Sequence, residues 1–598
     1  MNSKDNEVFK DLEEKYEKVR KLLEEDAKRD PETEPYRSKY LASSLLKDMK
    51  CILDKVLDDV NAECQDYLRY KAMLGAVNLN LGIIAVDTEE LSTGEEHLTN
   101  CVDGLSEYST KQECIIVTLT ALNQLGILWS QRDDPKKSQA YLEKAEVLYK
   151  TYISEESNVP LEINNLFLLT DSENAHNSSS ESESSLEQVH TLTLYYLAQI
   201  YSSLNDHVKA AVYCHTTLRR QLESKNFDPI DWALNAATLS QYFLEKNGYS
   251  QARHHLAAAS YILDQYENEG NLSVGTEEEQ EAKKEQYHHR CADVSRCWAK
   301  YSLTLLAASK ERLMAGTDED GLSNNLAEMQ VSENSLASQQ EVSELWFISL
   351  ELSTYEEGVD TRYALVFEEA RELFRHSRNW LSNAQTYYTK ESHASDYVQI
   401  VQDMSQLYKN LIFFEDDKER QCRMHKRRIV LLEDVLKELN PQYYLLVCRQ
   451  LWFELAETYS DMLEIKLTRV QETSDQQQQN AIQRKVHQLA EKSIANFKTF
   501  LESLKGTHSK KIPDPLGDDV MRPALIAHFY LGRLYGQLPT PDGKSKLENV
   551  KKSLECYQFL VDYCSNHPES EAQMQSELSV CCDMVKLLPL KMERLMST

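Results

Sequence analysis

Two pairs of adjacent histidines, His254-His255 and His288-His289, are the residues whose type most readily suggests metal chemistry. Neighbours on a helix point about 100° apart, so neither pair can close on one ion, and both read as surface or half-buried side chains. The 13 cysteines include no CxxC pair, and the adjacent Cys581 and Cys582 would face different sides of a helix. Most lie among apolar neighbours, as at Cys101, Cys214, Cys448 and Cys556, which reads as reduced core thiols. GxGxxG, GxxxxGK, GxSxG and HExxH are all absent. With no nucleophile–base pair either, the expectation is a protein that is not an enzyme, with no metal, cofactor or small-molecule substrate. The densest basic run, His425-Lys426-Arg427-Arg428, has the composition of a phosphate or nuclear-import patch. Its acidic flanks oppose that, and it reads as the solvated face of a helix whose other side carries Ile429, Leu431 and Leu432.

Charge narrows the partners. Across 598 residues, 66 basic against 97 acidic side chains leave a net charge of −31. A nucleic-acid surface needs a basic stripe, and a peripheral membrane protein of the polybasic kind needs a basic patch, so both classes are excluded. A partner with a basic face remains open. No apolar run is long enough to insert in a membrane; the nearest, Cys114 to Trp129, is broken by Thr118, Thr120, Asn123 and Gln124. Met1 to Lys10 holds no apolar signal segment, so a cytoplasmic protein is expected.

The elements that must present such surfaces are helices. Glycine is 16 of 598 residues, under half the usual ~7%, and Leu, Ala, Glu, Lys and Gln dominate. Four segments align without gaps: Leu81-Gly82-x-x-Ala85, Leu125-Gly126-x-x-Trp129, Leu197-Ala198-x-x-Tyr201 and Leu239-Ser240-x-x-Phe243. At 12, 16 and 19 residues past the small residue stand Gly94, Leu98, Cys101; Ser138, Leu142, Ala145; Ala210, Cys214, Thr217; and Ala252, Leu256, Ala259. This is the tetratricopeptide pattern, in which two antiparallel helices cross closely at the small positions. The repeat starts lie 44, 72 and 42 residues apart, against about 34 for the common form. Leu531-Gly532-x-x-Tyr535 repeats the first-helix signature near the C-terminus.

The expected organisation is all-α: an N-terminal tetratricopeptide-like subdomain over 1–266, a connecting region over 267–340 and a degenerate C-terminal subdomain over 341–598. The Ser-rich stretch 170–187 is expected to be a disordered loop. Within the connecting region, a mobile stretch through Glu285 is expected to precede a linker helix over 287–309, followed by a polar loop from Gly316 to Gln340. Further helices are expected over 367–388, 397–414, 419–436, 443–467, 484–504 and 525–538, with a loop at Gln476-Gln477-Gln478-Gln479. A last helix should end at Pro589.

Such an array offers surface rather than a reaction centre. Leu197, Ile200 and Tyr201 follow the core phase of the third repeat, whereas Tyr196 and Gln199, three residues apart, share a face off that phase. Gln221 and Thr238 extend the same rim, which makes these four the candidate partner-binding residues. The alternative reading has Tyr196 packed between helices and Gln199 facing only water.

Several stretches resemble the KIF-binding proteins, a kinesin-binding tetratricopeptide family. They include Asp87-Thr-Glu-Glu-Leu-Ser-Thr-Gly-Glu-Glu-His-Leu98, Leu125-Gly-Ile-Leu-Trp-Ser130, Leu194-Tyr-Tyr-Leu-Ala-Gln-Ile-Tyr201 and Ala236-Ala-Thr-Leu-Ser-Gln241. In the second half, Met424-His-Lys-Arg-Arg-Ile429, Leu439-Asn-Pro-Gln-Tyr-Tyr-Leu-Leu-Val447, Phe559-Leu-Val-Asp-Tyr-Cys564 and Leu587-Leu-Pro-Leu-Lys-Met-Glu-Arg594 are similar too. The resemblance implies a right-handed α-solenoid in two subdomains joined by a linker helix. It implies a monomer that grips kinesin motor domains, occludes their microtubule-binding face and so acts on organelle transport, mitochondria included, and on axon growth. A scaffold for short peptide segments is the alternative, although no repeated Lys and Asn set supplies a carboxylate clamp.

Overall fold

In the computed structural model, the described residues are 3–60, 66–155, 159–168, 175–315, 345–472, 476–505, 512–538, 540 and 543–596. Among them there is no strand. The chain forms two compact units, one comprising Met1–Gln280 and Leu326–Glu356, the other Glu281–Asn325 and Glu357–Thr598. This division falls at neither edge of the expected connecting region. The helices of the first unit are α1 (Ser3–Lys21), α2 (Arg37–Asp59), α3 (Tyr67–Asp87), α4 (Leu91–Leu105), α5 (Ile115–Gln131), α6 (Pro135–Ser154), α7 (Ala175–Ser203), α8 (His207–Ser224), α9 (Pro229–Glu245) and α10 (Tyr249–Asn268). A long α11 (Glu277–Ala315) runs through the division. The second unit continues with α12 (Phe367–Tyr387), α13 (Ala394–Phe413), α14 (Lys418–Glu438), α15 (Leu445–Glu472), α16 (Gln476–Ser503), α17 (Asp518–Gln537), α18 (Gly543–Asn566) and α19 (Gln575–Met596).

The four aligned segments are the helix pairs α3–α4, α5–α6, α7–α8 and α9–α10, and each turns by the same device. The first helix ends on a residue in the left-handed region: Glu89 (φ 66°), Asp133 (φ 58°), Asn205 (φ 62°) or Asn247 (φ 57°). The next N–H then reaches back to the carbonyl of the residue three past the small one. These bonds are Glu90 to Ala85 (2.8 Å), Asp134 to Trp129 (3.0 Å), Asp206 to Tyr201 (2.9 Å) and Gly248 to Phe243 (2.7 Å). This is the Schellman arrangement, which satisfies the last carbonyls of a helix while reversing the chain. The second helix starts at once, capped by Asp134 onto the Lys137 N–H and by Asp206 onto the Lys209 N–H.

The small positions are where the helices touch. A Cβ on Gly82 would stand 2.6 Å from Leu98 Cγ, one on Gly94 2.7 Å from Val86 Cγ2, and one on Gly126 2.6 Å from Leu142 Cγ. The second unit repeats this crossing with a serine on the second helix. Ser553 donates to the Gly532 carbonyl at 2.6 Å, as Ser138 does to Gly126 at 2.7 Å. Ser493 of α16 makes the same bond to Ala456 of α15 at 2.7 Å. That crossing exposes a signature not expected from the sequence, Leu455-Ala456-x-x-Tyr459 with Ser493, Phe497 and Phe500, its two halves separated by two long helices.

Four expectations about segments change. The Ser-rich stretch is helical from Ala175 onward, and 169–174 lie outside the described residues. That turn-by-turn extension is inexpensive once Leu186, Leu194 and Leu197 have anchored α7 in the core. The stretch expected to be mobile through Glu285 is helical from Glu277, because Thr276 and Glu279 form a capping box. The Thr276 N–H donates to Glu279 Oε2 (2.9 Å) and the Glu279 N–H to Thr276 Oγ1 (3.3 Å). The expected polar loop 316–340 lies outside the described residues. The glutamine run opens α16 rather than forming a loop, since glutamine is a good helix former. Pro589 does not end the last helix, which runs to Met596. One missing N–H costs about 3 kcal/mol in a helix interior, and packing of Met592 and Leu595 against the terminal core offsets it.

Candidate partner-binding groove

Helices α7, α8 and α9 enclose a groove of about 580 Å³ that collects three of the four candidate residues, Gln199, Gln221 and Thr238. Thr238 and Gln199 are exposed and Gln221 is half-buried. The Thr238 hydroxyl donates to the Leu234 carbonyl at 2.8 Å, which leaves its oxygen able to accept. The side-chain amides of Gln199, Gln221 and Asn235 have no hydrogen-bond partner among the described residues, so each keeps donors and an acceptor for a ligand. The lining holds no lysine, arginine or carboxylate; His207 is its only titratable residue besides Tyr195, Tyr242 and Cys214. What the groove offers is hydrogen bonding over an apolar base of Ala198, Ala211, Leu218 and Leu239.

Tyr196 is not in the groove. It packs with Leu142, Leu197, Ile200 and Tyr201 on the α6 side of α7, and burial pushes its phenol pKa up. Tyr195, 40% exposed, takes the groove position instead and stands edge-on to Tyr196 at 5.3 Å. Tyr195, Gln199 and Ser202 fall at i, i+4 and i+7, one face of a helix, a signal that was available in the sequence.

The titratable residues that first suggested chemistry serve packing. His254 and His255 are buried rather than on the surface. They receive the segment 345–356, which packs in the first unit through Phe347, 1% exposed among His215, Trp232, His254 and His255. The Phe347 N–H donates to His254 Nε2 (2.9 Å), which places the His254 proton on Nδ1, facing Glu356 Oε1 at 2.9 Å. His215 Nδ1 and His255 Nε2 lie 3.0 Å apart. Burial lowers the His215 pKa to about 4 and holds that of His255 well below its ordinary value. His289 stacks on Tyr387 at 4.9 Å, and His288 is exposed. Among the described residues no three His, Cys, Asp or Glu side chains gather to hold a metal, and no helix is long and apolar enough to cross a membrane.

The basic run divides between two faces of α14. Lys426 and Arg427 are exposed, as a solvated face requires. Arg428 is instead 1% exposed, with its Nε on Ser405 Oγ (3.1 Å) and ion pairs to Glu454 (3.4 Å) and Asp461 (3.8 Å). His425 is buried beside it, and burial together with that guanidinium lowers its pKa to about 3. His425, Arg428, Ile429, Leu432 and Val435 fall on one helical face, so the buried side of α14 includes two basic residues.

The family model described as "KIF-1 binding protein C terminal" matches residues 230–595. The chain belongs to the KIF-binding protein family. A KIF-binding protein of Gallus gallus is 41% identical over 588 residues, covering 97% of each chain. That of Homo sapiens is 38% identical over 613 residues, again with 97% of each chain covered. That of Drosophila melanogaster is 34% identical, covering 98% of this chain and 97% of its own. A solved structure of a kinesin-binding protein superposes with a TM-score of 0.63 at 34% identity, covering 96% of this chain and 98% of that one. The family is one of binding proteins and not of enzymes.

Proposed function

We propose that this chain is a monomeric, cytoplasmic, cytoskeleton-associated regulator that binds kinesin motor domains and blocks their attachment to microtubules. Through that it acts on organelle transport, mitochondria included, and on axon growth. Membership of the KIF-binding protein family along 97% of the chain carries the reading. Two features of the molecule support it. The groove of the first unit presents the unpaired amides of Gln199, Gln221 and Asn235 in the manner of a protein-docking surface. The net charge of −31 would draw a partner whose own face is basic, as a surface that engages acidic tubulin must be.

The alternative, a scaffold for short peptide segments of partner proteins, would have no carboxylate clamp in that groove, since no lysine or arginine lines it. Co-sedimentation of motor domains with microtubules tests the proposal. Added protein is expected to move the sensitive motors from pellet to supernatant. Unchanged pelleting of every motor at saturating protein would overturn the proposal.

A further inference from the structure

A second groove, of about 630 Å³, lies wholly within the second unit and has the opposite character from the chain as a whole. One wall is α14, which contributes Arg423, Lys426, Arg427 and Val430 at i, i+3, i+4 and i+7, a single helical face. The other wall is α12, with Arg378 and Ser382. Between them stand the nearly buried Met404 and Tyr408 of α13, with Leu431 and the 47% exposed Val430 completing an apolar floor.

None of the four cations has a carboxylate within ion-pair distance among the described residues. Their neighbours on the same helices do. Arg371 and Arg375 of α12 pair with Glu368 and Glu372, each at 3.0 Å, and Arg420 of α14 pairs with Glu415 at 3.6 Å. The nearest acidic groups on α14 are already engaged. Asp417 caps the helix through the Glu419 and Arg420 N–H groups (2.7 and 2.9 Å), and Glu419 pairs with Arg469 at 2.8 Å. Like charges three and four residues apart repel. A chain with 97 carboxylates that leaves these four cations without a direct ion pair around one groove presents a surface complementary to an acidic ligand.

We infer that this groove docks an acidic segment of a partner protein that carries an apolar side chain between its carboxylates. The apolar residue would rest on Met404, Tyr408 and Val430, with carboxylates meeting Arg378 on one wall and Arg423, Lys426 and Arg427 on the other. A bare polyanion would leave the floor unused. A nucleic acid would meet only four cations on a strongly acidic molecule.

The test uses the full-length chain and a short fluorescent peptide in which glutamate pairs flank leucines. Polyglutamate of equal charge and a single-stranded oligonucleotide are run beside it. The leucine-bearing peptide is expected to bind at least about tenfold more tightly than polyglutamate, the gain from burying one such side chain. The double substitution Arg378→Glu with Arg427→Glu should weaken it at least about tenfold, and Val430→Asp should weaken it as well. All three residues are exposed, so the melting temperature should hold. Binding that survives the double substitution would overturn the inference. Polyglutamate or the oligonucleotide binding as tightly as the peptide would do so too. The variant Gln221→Glu, in the groove of the first unit, should leave the peptide bound; if it abolishes binding, the peptide sits there and the inference fails independently of any result with kinesin.

Discussion

The hydroxyl of Ser138 donates a 2.7 Å hydrogen bond to the carbonyl of Gly126 across the crossing of α5 and α6. Ser553 and Gly532 repeat it in the second unit, 2.6 Å apart and across a much longer connection. One residue must be glycine or a similarly small residue so that the helices can approach. The other must be small, and its hydroxyl finds its partner on the opposite backbone. The repeat is thus defined by a contact rather than by a length, which explains how it persists where the spacing does not.

The crossing predicts opposite effects for two glycine substitutions. Gly126→Ala forces Leu142 aside and should destabilise the protein by about 1–3 kcal/mol, the usual cost of overpacking. Gly104→Ala, on α4 with nothing within 4 Å of the new methyl, should be neutral or stabilise by up to about 1 kcal/mol through helix propensity. Urea titration of the two variants checks the contrast. Equal effects would mean that the close approach of α5 and α6 has no energetic weight.

The Schellman turns yield a second prediction. Glu89 holds a left-handed conformation (φ 66°), which costs an ordinary L-residue roughly 1–2 kcal/mol, while Asn205 and Asn247 tolerate it better. Its side chain is exposed. Glu89→Gly should therefore stabilise the protein by up to about 1 kcal/mol, part of the gain being lost to the greater freedom of glycine in the unfolded chain. A fall in melting temperature would show that the Glu89 side chain contributes more than its backbone costs.

Acid should destabilise this protein through its buried histidines. Burial lowers His528 from 6.5 to about 4; its ring stacks on Phe559 at 4.0 Å, and neither nitrogen has a partner among the described residues. His215 is lowered to about 4 as well. Each binds a proton more readily unfolded than folded, so its contribution is complete above pH 6.5 and is lost as pH falls toward 4. For His528 the shift corresponds to about 3 kcal/mol. The melting temperature should fall between pH 6.5 and 4, and His528→Leu should fall less steeply there. A variant that tracks the parent chain would refute the assignment.

How much was legible follows from where partners lie along the chain. The four repeats were readable because both helices of a pair fall within one short window and the small residues mark the crossing. The Ala456–Ser493 crossing uses the same residues but was hidden by the length of α15 and α16. The burial of Phe347 against His254 joins residues 93 apart, and no local pattern announces such a contact. Within α7, Gln199 lies off the core phase and is exposed. Tyr196 takes the place of the alternative reading, packed between helices, because it flanks the core stripe at a register where a tyrosine can pack, and its neighbour Tyr195 holds the groove position.

That one-residue shift separates binding from stability at the candidate site. Gln199→Lys, Gln221→Lys and Thr238→Lys each place a charge in a groove whose lining has no fixed charge. Each should weaken capture of a kinesin motor domain while the melting temperature stays within about 1–2 °C, since surface changes are usually worth under about 0.5 kcal/mol. Tyr196→Lys should do the reverse in origin, lowering stability by about 2–4 kcal/mol because a charged amine replaces an aromatic ring packed on Leu142 and Tyr201. Tyr195→Ala should follow the groove class. Paired binding and melting measurements on these five variants decide the matter. If Tyr196→Lys alone loses the motor while remaining fully stable, the interaction surface lies on the α6 side of α7 rather than in the groove.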